Sequence, residues 1–137
     1  MQVSINLRDQ LTREQLEKAR AKMGDWSNEL KDIGLILLRS IDKNFLQEGR
    51  PTRWKKSQRA IRENGKTLQD TGRLRRSTTI QGNPDNIFNI KNNSILEIST
   101  EVSYSKYHQK DRPFLVIQEE DIRNIERYLL NVIANLW

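Results

Sequence analysis

Apolar side chains recur most regularly between Trp26 and Gln47. Trp26, Leu30, Ile33, Leu37, Ile41 and Phe45 follow one another at three- and four-residue steps, and Gly34 and Leu38 widen the stripe. That period predicts a long amphipathic helix with Lys31, Asp32, Arg39, Asp42 and Lys43 on its other side. Glu48-Gly49-Arg50-Pro51 should end it, because glycine takes a left-handed cap and proline cannot continue a helix. Ahead of it, Gln2 to Leu7 alternate loosely, as a short strand would. Thr12 and Gln15 have the spacing of a capping box, and Leu11 and Leu16 that of a hydrophobic staple. A polar helix is therefore expected to run from Thr12 to a stop at Gly24.

Beyond the long helix the periodicity fades. Residues 50–76 have no clean repeat, although Ser57 to Asn64 suit a turn or two of helix. Asp70-Thr71-Gly72-Arg73-Leu74 suits a turn into a short helix or strand. From Ser77 the period becomes two, in Ser77 to Gln81, Asn86 to Lys91 and Ser94 to Val102. Gly82-Asn83-Pro84-Asp85 and Asn92-Asn93 separate these runs with turn chemistry. In the last run Leu96, Ile98, Thr100 and Val102 share one face, and Glu97, Ser99 and Glu101 the other. This predicts an antiparallel meander with one solvated face, and Phe114 to Ile117 is a fourth strand candidate. Glu119, Glu120 and Asp121 favour a helix start, and Ile122, Ile125, Leu129, Val132, Ile133 and Leu136 then form a stripe. The order predicts an α+β fold in a single domain over residues 1–137. It comprises N-terminal helices (one long), an antiparallel β-meander of three to four strands, and a C-terminal helix packed on the sheet.

Composition narrows the chemistry. The chain of 137 residues has no cysteine, which excludes a disulfide, a thiolate metal site and a cysteine nucleophile. Its longest apolar run, Gly34 to Leu38, falls far short of the ~20 residues that span a bilayer. The N-terminus lacks the plan of a signal peptide, so a soluble protein made in a cytoplasm is expected. The formal charge of +6 is unevenly spread. Between Arg50 and Arg76 ten basic residues face only Glu63 and Asp70, whereas acids slightly outnumber bases elsewhere. That basic segment addresses an anionic partner, or forms a disordered arm.

Catalysis finds little support. His108 is the one histidine, and no spacing sets a serine and a carboxylate beside it. No cluster of His, Asp or Glu suggests a metal, and the glycines are isolated rather than gathered into a phosphate loop. No catalytic, metal or cofactor residue is therefore assigned, and His108 is read as a structural or interface residue. Nucleic-acid binding is better served. Trp54 beside Lys55 and Lys56 suits a stacking residue among phosphate contacts, with Arg50, Arg53, Arg59 and Arg62 around it. The same Trp54 equally suits packing against the body, with the charges solvating a loop. A third reading is an assembly subunit whose loops order against neighbours.

Landmarks along the chain favour the third reading. They are Phe45-x-x-Glu48-Gly49-x-Pro51-x-x-Trp54, then Leu68-x-x-Thr71-Gly72-Arg73-Leu74-x-x-Ser77, then Tyr104-x-x-Tyr107-His108-Gln109 and Arg112-Pro113-Phe114-Leu115. In this order they resemble the phage virion-morphogenesis family of Mu G-like tail-completion proteins, over about residues 25–135. Ser105 replaces the family's alanine, and the link from Gln109 to Arg112 is only Lys110-Asp111. The resemblance implies a non-enzymatic structural protein of a tailed phage or prophage, acting in tail completion and head–tail joining. It implies no cofactor and no membrane, and a place in the virion neck or tail end after assembly in the bacterial host cytoplasm. The implied partners are tail-tube, neck or head-connector subunits, in a homo-oligomeric ring, with non-specific DNA contact secondary. The basic loop of residues 50–76 would then face a partner or DNA through Arg50, Arg53, Trp54, Lys55, Lys56, Arg59 and Arg62. Gly49, Trp54, Thr71, Gly72, Leu74, Tyr104, Tyr107, His108, Arg112, Pro113, Phe114 and Leu115 would define the fold. Within that set Thr71-Gly72-Arg73-Leu74 would turn into the first sheet strand. Tyr104, Tyr107 and His108 would brace the sheet edge, and Arg112 to Leu115 would start the final strand. The alternative remains a stand-alone nucleic-acid-binding module using the same basic segment, and an enzyme acting through His108 is the third class.

Overall fold

The long apolar stripe folds as one helix, α1 (Ser27–Leu46), in a computed structural model that describes residues 2–6, 12–15, 17 and 25–135. All eight stripe residues, from Trp26 to Phe45, are buried. Each fully buried Leu, Ile or Phe contributes about 1.5–3 kcal/mol, so this face organises the molecule. Asp25 supports the helix start by accepting the Ser27 N–H at 2.8 Å. The helix stops through two left-handed residues, Glu48 (φ 53°) and Gly49 (φ 118°), where glycine alone was expected.

Ahead of α1 lies a short strand, β1 (Val3–Asn6). Thr12 and Gln15 form the expected reciprocal capping bonds, at 3.1 and 3.2 Å, and helical residues follow at 13–15 and 17. The Leu11–Leu16 staple, the stop at Gly24, Leu7 and Leu136 lie outside the described residues.

The aperiodic segment holds two short helices. In α2 (Gln58–Glu63) the Ser57 hydroxyl accepts the Ala60 N–H, and Asn64 ends the helix in the left-handed region. The second, α3 (Arg73–Thr79), is the short helix that the turn at Asp70 to Leu74 allowed; it corrects the strand expected at Ser77 to Gln81 and the turn into a sheet strand that the resemblance implied. Ser77 and Thr78 donate to the Leu74 carbonyl and Thr79 to that of Arg75. These local bonds let three residues of low helix propensity sit in a helix.

A hairpin follows, β2 (Asn86–Lys91) and β3 (Ile95–Thr100), closed by Asn92 and Asn93, both left-handed. The sheet is antiparallel with order β1-β3-β2. Its third strand is therefore the N-terminal β1, with Val3 opposite Ile98 and Ile5 opposite Leu96. Val3, Ile5, Leu96, Ile98 and Thr100 face the core, while Lys91 and Glu97 pair at 2.8 Å on the other side.

No strand forms at Phe114 to Ile117. A side chain there takes the place of a ladder: the Gln109 amide oxygen accepts the N–H groups of Phe114 and Leu115, and its nitrogen donates to the Leu115 carbonyl. Asn44 Nδ2 donates to the Phe114 carbonyl at 2.8 Å. Gln109 belongs to α4 (Ser105–Asp111), a helix the sequence patterning did not reveal. The chain continues into α5 (Glu119–Ala134), capped reciprocally by Gln118 and Asp121. The C-terminal helix was expected on the sheet; its main neighbour is α1, which itself meets β2, β3 and α3. Among the described residues no helix is long and apolar enough to cross a membrane.

Candidate functional site

The turn after α1 fixes where the basic segment starts. A β-carbon on Gly49 would lie 2.5 Å from the backbone nitrogen of Trp54, so only glycine admits this return of the chain. The Glu48 carbonyl accepts the Trp54 N–H at 2.7 Å, and its carboxylate accepts the Thr67 N–H at 2.9 Å. That backbone bond, helped by Arg53, holds the Glu48 carboxyl below its ordinary range despite partial burial.

Two residues expected to face a partner turn inward instead. Trp54 is buried edge-on against Phe45, with ring centroids 5.8 Å apart, and donates its indole N–H to the Pro113 carbonyl. An aromatic with one polar atom is well placed when both parts find partners, and here they do. Arg50 lies along α1, donating to Asn44 Oδ1 at 2.8 Å and to the Ser40 hydroxyl at 2.6 Å. Its carbonyl accepts from Gln118. Arg50 thus ties α1 to the start of α5.

The remaining cations divide by exposure. Arg53, Lys55, Lys56 and Arg62 are exposed. Arg59 is half-buried, donating to the Lys66 carbonyl and pairing with Glu63 (3.1 Å) and Asp70 (3.7 Å).

The motif segments around 71–74 and 104–112 meet in space. Gly72 (φ 77°) starts α3, the Thr71 hydroxyl accepts the Arg73 N–H, and Leu74 is buried. Arg73 forms a fork on Asp85 at 3.0 and 3.2 Å, raising its own pKa and holding the Asp85 carboxyl low. Tyr104, Tyr107 and His108 sit on and beside α4 rather than against a sheet edge. Tyr107 is 71% exposed, with the Lys106 ammonium 5.8 Å from its ring centre. Tyr104 meets His108 edge-on at 5.9 Å. Burial first, and the charge of Arg112 second, hold the His108 imidazole below its ordinary pKa of 6.5. Arg112 donates its Nε to the Lys55 carbonyl at 2.8 Å. Pro113 is exposed, while Phe114 and Leu115 are buried and Phe114 packs on Phe45 at 5.6 Å. The core role expected of Phe114 is thus observed, without a strand.

Between these groups lies a half-open cleft of about 500 Å³. Leu68, Leu74, Tyr104 and His108 line it together with Arg59, Arg73 and Arg112. Its volume suits one or two inserted side chains or a small ligand. Leu68, in a left-handed conformation at φ 64°, entered the sequence reading only as a landmark of the resemblance, with no site role assigned to it. The cleft itself had no place in that reading, because its walls come from segments thirty or more residues apart in the chain. No group of three or more His, Asp or Glu side chains that could hold a metal ion occurs among the described residues. No family model, curated protein or solved structure matches the chain.

Proposed function

We propose that this chain is a structural subunit of a tailed-phage virion, without catalytic activity, acting in tail completion and head–tail joining. One observation supports the reading: the landmarks of the resemblance, separated along the sequence, meet one another in space. Trp54 of the glycine–tryptophan loop bonds Pro113 of Arg-Pro-Phe-Leu, and the Thr-Gly-x-Leu and Tyr-x-x-x-His segments share one cleft. The stand-alone nucleic-acid reading is weakened because Trp54, its stacking residue, belongs to the core. Arg53, Lys55, Lys56 and Arg62 remain as an exposed basic face for neighbouring subunits, with DNA contact secondary. A homo-oligomeric ring at the neck or tail end is the assembly this proposal implies.

Deleting the gene from a phage or inducible prophage that carries it tests the proposal. Electron micrographs of the lysate should show separate heads and tails, and infectious titre should return when the wild-type chain is supplied. A variant with Arg53, Lys55, Lys56 and Arg62 changed to Gln should fail to restore titre although its circular dichroism is unchanged. Normal joining and titre in the deletion would reject the role.

A further inference from the structure

The charges around the cleft are one-sided. Its one lining acid, Asp70, already meets Arg59, and the nearby Glu63 and Asp85 meet the lining residues Arg59 and Arg73. Arg112 uses its Nε on a backbone carbonyl and meets no carboxylate among the described residues. Three further cations, without a carboxylate partner among the described residues, are each bonded to a residue that lines the cleft. Lys55 supplies the carbonyl that holds Arg112, Lys66 supplies the one that holds Arg59, and Arg76 rests on the Thr71 carbonyl at 3.2 Å. The apolar part of the lining comes from Leu68, Leu74 and the Tyr104 ring.

The geometry points to this cleft as the docking site for an acidic peptide segment of a partner protein. An apolar side chain of that segment enters between Leu68, Leu74 and Tyr104, and a flanking aspartate or glutamate meets Arg112. The assignment rests on the assembly reading, in which the segment belongs to another virion subunit. A guanidinium matches a carboxylate in a two-bond fork, and a partly desolvated pair of this kind is stronger than a surface one. Nucleic acid fits the cleft less well. The Tyr104 and His108 rings pack edge-on against each other instead of forming an open platform on which bases could stack. Burial first, and Arg112 second, disfavour the charged His108 imidazole, so an anion bound beside it raises its pKa.

The test is selection of a random-peptide display library on the purified protein. Enriched sequences should place Asp or Glu next to Leu, Ile or Phe. The best of them, made as a fluorescent peptide, should bind about tenfold or more weakly to Arg112→Glu, which corresponds to 1.4 kcal/mol or more. Lys55→Glu with Lys66→Glu alters only exposed side chains, so it should weaken binding without touching the fold. Since His108 is the sole histidine, proton NMR reads the cleft directly, and peptide should raise its titration midpoint. Selection without acidic bias, or binding indifferent to both charge variants, would overturn the assignment. So would an oligonucleotide that binds more tightly than the peptide and loses its binding in Arg112→Glu. None of these results touches the gene-deletion phenotype, so failure of the docking site and failure of the assembly role are told apart.

Discussion

Gly34 sits in the middle of α1, where alanine would be favoured by about 1 kcal/mol of helix propensity. A β-carbon there, however, would collide with the ring of Phe88 on β2 and touch Leu96. The missing side chain is what lets the hairpin lie close against the helix. Gly34→Ala should therefore destabilise the protein by about 1–2 kcal/mol in urea unfolding, since Phe88 must leave its packed position. In a Phe88→Ala background the same change should become stabilising, by up to about 1 kcal/mol. A gain in the wild-type background would mean that the ring moves aside freely and that the contact is unimportant. Trp54 illustrates the other side of such single-residue reasoning. Lys55 and Lys56 beside it suggest phosphate contacts, yet the carbonyl of Pro113, fifty-nine residues away, decides where the indole goes.

Gln109 does for the segment 113–117 what a neighbouring strand would have done. Its amide meets two N–H groups and one carbonyl of Phe114 and Leu115, at 2.8–3.1 Å. Gln109→Leu would leave those buried backbone groups without partners, at about 1–3 kcal/mol for each group that water cannot reach. Thermal unfolding should show that loss as a clear drop in midpoint. Gln109→Glu keeps the acceptor and loses only the donor, so its drop should be smaller; equal drops would refute the side-chain ladder. This substitution of an amide for a strand explains which elements could be read in one dimension. The stripe of α1, the alternation of β3, the Asn92-Asn93 turn and the acidic start of α5 each lie within a local period, and each was legible. The segments at 77–81 and 114–117 have strand-like composition, but hydroxyl back-bonds and Gln109 satisfy their backbones otherwise. The α4 helix has too few core-facing positions to show a stripe, with only Ser105 buried. For the cleft the same limit holds more strongly, because α3 and α4 wall it jointly and no spacing encodes their meeting.

Across the molecule, the excess positive charge between Arg50 and Arg76 serves two unlike purposes. One set of cations builds the protein. Arg50 reaches the Ser40 hydroxyl, which in turn donates to the buried Asp121 at 2.6 Å, and Arg75 meets Asp42 at 2.8 Å. The other set, Arg53, Lys55, Lys56 and Arg62, is exposed, and among the described residues only Arg53 of these meets a carboxylate, Glu48 at 3.4 Å. Charge alone cannot separate the two sets, since both lie in the same stretch of sequence. Their energetics should. Arg50→Gln leaves Asn44 Oδ1 and the Ser40 hydroxyl and carbonyl short of a charged donor in a part-buried site, and should cost about 2–4 kcal/mol. Changing all four exposed cations to Gln at once removes four charges instead of one, yet should alter stability by less than about 1 kcal/mol. Urea titrations of both variants, with unchanged m values, measure the contrast. A quadruple variant as unstable as Arg50→Gln would show that the exposed face is part of the scaffold, leaving no basic surface free for a partner.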